Sequence, residues 1–112
     1  MALPRDEQIR SELVQLLLAQ AGHKMESGDV YKKLADKFPQ LTVDEKTIPY
    51  QNSLSHWANR VQFAVLHLRQ RGWLSSPSVG ERGVWEVTPE GEKAWREQSQ
   101  VADRLLNEFD DL

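Results

Sequence analysis

Between residues 53 and 67 stands a cluster of side chains that can hydrogen-bond or carry charge: Ser53, Ser55, His56, Asn59, Arg60 and His67, with Phe63 among them. Asn and Arg match the major-groove edges of adenine and guanine bidentately, so Asn59 and Arg60 are the first choice for base contacts. His56, Ser53 and Ser55 can reach bases or phosphates. Arg82, in the turn Ser78-Val79-Gly80-Glu81-Arg82, can meet a phosphate or a minor groove, with Glu81 beside it lowering the attraction. The plainer alternative is a set of solvated side chains, with Arg60 paired to an acid of the first helix. Arg69 and Arg71, near a helix end, also suit the helix dipole.

Charge distribution favours a polyanionic partner more than the total does. The formal net charge is −3, yet from Lys46 to Gly80 there is no Asp or Glu. That stretch holds Lys46, Arg60, Arg69 and Arg71 and counts +4, which leaves −7 for the remainder. The acids crowd the ends, as Asp6, Glu7 and Glu12 and as Glu108, Asp110 and Asp111. Basic blocks of this kind are the usual footprint of nucleic-acid binding.

The element that must present these groups is a helix over about 53–71. Leu54, Trp57, Val61, Ala64, Val65 and Leu68 recur at a period near 3.6 and mark its buried stripe. Gly72 ends it. Phe63 and Leu66 fall off that stripe, and the following hairpin or the last helix is expected to cover them. A hairpin over 73–87 follows, with Trp73 and Trp85 on its two arms. Before the main helix, 4–20 reads as a first helix with Ile9, Leu13, Leu16 and Leu17 inward. His23 to Met25 reads as a small strand beside the hairpin. Ser27 caps a second helix bearing Val30, Leu34 and Phe38. Thr42 and Glu45 have capping-box spacing for one short helical turn. Thr88-Pro89-Glu90 starts a last helix, whose Trp95, Ala102 and Phe109 sit seven apart.

At 112 residues one domain is expected. The order predicts an α+β, mainly α fold: a winged helix-turn-helix of three helices and a β-hairpin wing over 1–91. The C-terminal helix over 92–112 packs back, dimerises or leads to a further domain. There is no cysteine, so no disulfide or thiolate metal site can form. His23, His56 and His67 lack metal-ligand spacing. No apolar run nears the roughly 20 residues of a membrane helix, and the start MALPRDEQ has no signal-peptide pattern. A cytoplasmic domain without cofactor, metal or membrane attachment is expected.

The motifs Trp57-Ala58-Asn59-Arg60-Val61, Phe63-Ala64, Leu68, Gly72-Trp73-Leu74, Pro77, Gly83-Val84-Trp85 and Val87-Thr88-Pro89, with Gly91, stand in this order along the chain. Over roughly residues 9 to 95 it resembles the N-terminal winged-helix domain of Mrr-type restriction proteins. Trp73 stands where Leu is commoner, and Phe63 where Trp is commoner. The resemblance implies double-stranded DNA binding in a restriction or defence context, extending to modified DNA. It also implies a nuclease domain elsewhere, with an Asp and a Glu/Gln-x-Lys pair around a divalent metal. Asp44-Glu45-Lys46 beside Pro49, and Glu92-Lys93 at a helix start, do not supply the convergent oxygens Mg²⁺ requires. No catalytic residue is therefore expected. The competing expectation is a protein-interaction or dimerisation scaffold, with a homodimer or a nuclease domain joined through the C-terminal helix.

Overall fold

The computed structural model describes residues 3–76 and 83–110, the side chains of 102–110 excepted. The chain is α+β and mainly helical. Helix α1 (Asp6–Leu18) leads through a short 3-10 turn (Ala21–His23) into strand β1 (Lys24–Glu26). Helices α2 (Ser27–Ala35), α3 (Val43–Thr47) and α4 (His56–Gln70) follow, then β2 (Val84–Glu86) and α5 (Pro89–Asp110). This order is compatible with a winged helix.

The hydrophobic periods decide the packing. Ile9, Leu13, Val14 and Leu17 of α1 are buried, and so are Val30 and Leu34 of α2. They meet Trp57, Val61, Ala64, Val65 and Leu68 of α4 in one core that also holds Phe38, Leu41, Leu74, Trp85 and Val87. Trp57 is the largest fully buried side chain. Its ring tilts against Phe38 at 5.7 Å, and its Nε1 donates to the Tyr31 carbonyl at 2.9 Å. A buried indole N–H needs such a partner, and here the bond ties α4 to α2.

Leu54 does not join the core; it is 74% exposed. Ser55 explains why. Its backbone is extended, and its Oγ accepts from the Ala58 N–H at 3.0 Å, so it is the N-cap. The helix therefore runs 56–70 rather than from about 53, and Leu54 lies outside its phase.

β1 pairs antiparallel with β2, Met25 opposite Trp85. The pairing continues past the strand ends, where Val87 N donates to the His23 carbonyl and Ser27 N to the Gly83 carbonyl. Ser27 is thus the first helical residue and Glu26 the cap position. The expectation of Ser27 as the cap is corrected, because strand pairing runs up to the helix. The Thr42/Glu45 capping box forms as expected, with Thr42 N donating to Glu45 Oε1 at 2.8 Å and Glu45 N to Thr42 Oγ1 at 3.1 Å.

The two hairpin arms meet at their base. Leu74 bridges Val87, and Ser75 N donates to the Glu86 carbonyl at 3.0 Å. Thr88 is the junction. Its N–H donates to the Trp73 carbonyl at 2.8 Å, its hydroxyl donates to the Gly72 carbonyl at 2.6 Å, and the same oxygen accepts from Gly91 N at 2.9 Å. Gly91 is packed directly on Trp73: a Cβ placed there would press on the Trp73 carbonyl oxygen and lie 2.7 Å from its Cα. Helix α5 starts at Pro89, so a division at 91/92 falls inside it. Its Trp95 is partly buried against the core.

Candidate nucleic-acid interface

Helix α4 has one outward face. At ~100° per residue, His56, Asn59, Arg60, Leu66, His67 and Gln70 all lie within about 60° of Phe63. None of these is buried, and the helix carries no acid. Phe63 and Leu66 are 49% and 46% exposed. The expectation that the hairpin or α5 covers them is corrected. Trp85 of the hairpin packs edge-on against Tyr31 at 5.5 Å. Trp95 of α5 shares a cleft with Glu7, Arg10, Ser11 and Leu68, on the α1 side. Both covering elements are engaged elsewhere.

Each sequence-derived candidate has a definite environment. Ser55 is 3% exposed with its hydroxyl occupied by the cap, so it leaves the contact set. His56 stacks on Tyr50, ring centroids 4.0 Å apart and planes 9° from parallel. Arg60 makes no ion pair among the described residues. His67 Nδ1 lies 3.0 Å from Asp6 Oδ2, which also pairs with Arg10 Nε at 2.9 Å. The partner of the first-helix acid is thus His67, not Arg60. Arg82, with the rest of the 77–82 segment, lies outside the described residues.

Asn59 belongs to a relay that spacing alone did not suggest. Its Nδ2 donates to Ser53 Oγ at 3.3 Å, Ser53 donates to Gln62 Oε1 at 3.0 Å, and Gln62 Nε2 donates to the Tyr31 hydroxyl at 3.0 Å. Gln62 and Tyr31 are the members missed. Gln62 sits three residues after Asn59, a legible neighbour on the helix, whereas Tyr31 reaches it only through the packing of α2 on α4. The relay leaves one Asn59 N–H and its Oδ1 without a partner among the described residues.

Two other arginines are structural. Arg69 Nε donates to the Ser75 carbonyl at 3.0 Å, which ties the end of α4 to the hairpin, and its partial burial lowers its pKa. Arg71 lies 5.8 Å from the Trp73 ring centroid. On the α2 side, a cleft of about 390 Å³ is lined by Tyr31, Lys32, Lys46, Leu54 and Trp57 among others. It brings Lys32 beside the basic block. Among the described residues, Asp6 lies near the C-terminal half of the helix and Glu45 near its start, Asp36 lines the α2-side cleft with Lys32 and Lys46, and Glu7 shares a cleft with Leu68 and Arg71. The Glu45 pKa is lowered, first by the Thr42 N–H, then by the Thr42 hydroxyl and the charge of His56. Among the described residues no group of three or more His, Cys, Asp or Glu could hold a metal ion, and no helix is long and apolar enough to cross a membrane.

The model of the Mrr N-terminal domain family matches residues 8–97. The chain belongs to this family. The match spans α1 through the first turns of α5, so it includes every element that carries the α4 face. The Mrr N-terminal domain is associated with restriction systems and is a non-catalytic region. No curated protein and no solved structure shows significant similarity to this Mrr N-terminal domain.

Proposed function

We propose that this chain is a winged-helix module that binds double-stranded DNA for a restriction system in the cytoplasm. Helix α4 enters the major groove, and the hairpin lies on the backbone. The observation that carries the reading is that the outward face of α4 has no Asp or Glu of its own, with Asn59 and Arg60 in its first half and Asp6 of α1 reaching only its His67 end. A helix about 10–12 Å across fits a groove of about 12 Å. Asn59 is held by Ser53 while its second N–H and Oδ1 can address adenine N7 and N6. Arg60 can address guanine or a phosphate. His56, Ser53, Phe63 and His67 complete the contact surface, with His67 held back by Asp6. Cleavage belongs to a nuclease domain, fused or separate.

Replacing Arg60 with Ala weakens duplex binding several-fold and leaves the fold intact. The salt dependence of wild type is shallow, with a log–log slope of about −0.9 per phosphate contact. Unchanged affinity in a low-salt titration overturns this choice of face. Running the titration on modified and unmodified duplex, with single strands as control, tests the preference for modified DNA that the family resemblance implies.

A second reading is favoured by the half-exposed Phe63 and Leu66: the module docks proteins or a second copy, with α5 contributing. Light scattering of the full chain against a version ending at Arg96 tests the contribution of α5. A monomer in both removes the dimer.

A further inference from the structure

We propose that the outward face of α4 selects A·T base pairs, with Phe63 and Leu66 contacting thymine 5-methyl groups; this rests on the DNA-binding reading above. Adenine offers the groove an acceptor and a donor side by side, which an amide matches. Thymine offers a methyl group, which an apolar side chain matches. Guanine calls for Arg or Lys, and cytosine for an acid. The α4 face carries amides at Asn59 and Gln70, with Gln62 at its edge, around the apolar pair. It has a single arginine, Arg60, as far to one side of Phe63 as Leu66 is to the other, against two amides and two apolar side chains, and no acid of its own to accept from cytosine.

The geometry supports the same division of labour. Phe63 stands at the centre of the outward face, and Leu66 is its neighbour three residues on. Both remain about half exposed because Trp85 and Trp95 are packed elsewhere. Asn59 is steadied by Ser53, Gln62 and Tyr31, so its amide is oriented before any ligand arrives. The absence of acid on the helix and the basic residues around it fit a polyanion better than a neutral protein surface.

The test uses the full chain and a random-sequence duplex pool. Selected sequences are enriched in A·T at the contacted positions. Remaking the best duplex with dU for every dT removes only the methyl groups. Binding then weakens about fourfold or more, the factor for one buried methyl-sized group. The substitutions Phe63→Ala and Leu66→Ala bring the dT/dU ratio toward one, while circular dichroism shows an unchanged fold. Replacing adenine with 7-deazaadenine weakens wild type but not Asn59→Ala. Equal binding of dT and dU duplexes, or enrichment of G·C, overturns the A·T proposal and leaves DNA binding standing. Failure to bind any duplex at low salt overturns both. Self-association abolished by Phe63→Ala, with no dT/dU difference, assigns the face to protein contact instead and overturns the proposal.

Discussion

Replacing Gly91 with Ala should destabilise the domain, although alanine is ordinarily the better helix former. In an open helix the exchange gains about 1 kcal/mol. Here the new Cβ meets backbone, not a movable side chain: the Trp73 carbonyl oxygen, its Cα at 2.7 Å and its carbonyl carbon at 3.0 Å. Reaching an ordinary 3.4 Å contact with the Cα requires a shift of about 0.7 Å. That shift pulls on the 2.8 Å Thr88–Trp73 and 2.6 Å Thr88–Gly72 hydrogen bonds. Overpacking of this kind costs about 1–3 kcal/mol, and a weakened hydrogen bond adds about 1 kcal/mol. Net of the helix gain, roughly 1–3 kcal/mol of stability is lost. For a domain of this size that lowers Tm by roughly 4 °C per kcal/mol. Thermal melts followed by circular dichroism measure it, with Gly28→Ala as control because nothing lies within 4 Å of a Cβ there. A Gly91→Ala protein that melts at or above wild type refutes the close-packing argument.

Three other substitutions, with Ser53→Ala as a control for the first, test separate parts of the structure. Ser55→Ala removes the α4 cap and costs about 1 kcal/mol in urea unfolding, whereas Ser53→Ala leaves the midpoint nearly unchanged. The lowered Glu45 pKa means that its contribution to stability is complete above the unfolded carboxyl value. It is lost as pH falls through the folded one. Glu45→Gln should therefore flatten that acid-side loss, and identical acid limbs would count against the capping box. Asp6→Asn removes a negative charge from the edge of the α4 face and releases His67. Duplex affinity at low salt should rise severalfold, and an unchanged or weaker affinity would place the ligand elsewhere.

What could be read in the sequence was what local chemistry decides. The α4 stripe from Trp57 to Leu68 was legible because burial repeats with the helical period. The Thr42/Glu45 box and the Thr88-Pro89 start were legible because caps act over three or four residues. Even β1 was placed within one residue. Leu54 is a local miss: it fits the helical spacing, but Ser55 next to it caps the helix and turns the backbone before the helix begins. The other misses are long-range. Ser27 has the chemistry of a cap, but its N–H pairs with Gly83, which no local pattern announces. Gly91 lies in the first turn of α5, and no local pattern announces that Trp73 packs directly against it. The exposure of Phe63 and Leu66 depends on where Trp85 and Trp95 find their own partners. At the candidate site, Asn59 and Arg60 are proposed from residue type and place on the helix, while the Tyr31 relay and the Asp6–His67 pair required the assembled helices.

The three-residue clasp between β1 and β2 fastens an early segment of the polypeptide to a late one, enclosing α2, α3 and α4 in a single large ring. Closing a ring has an entropic cost that grows only logarithmically, about 0.6 kcal/mol for each doubling of its length. Extra residues inserted between α2 and α4, away from Leu41 and the Ser55 cap, should therefore be inexpensive. That arc is where the molecule could lengthen without loosening the packing of α4 and, on the proposed DNA-binding reading, where a reach toward flanking duplex could be adjusted.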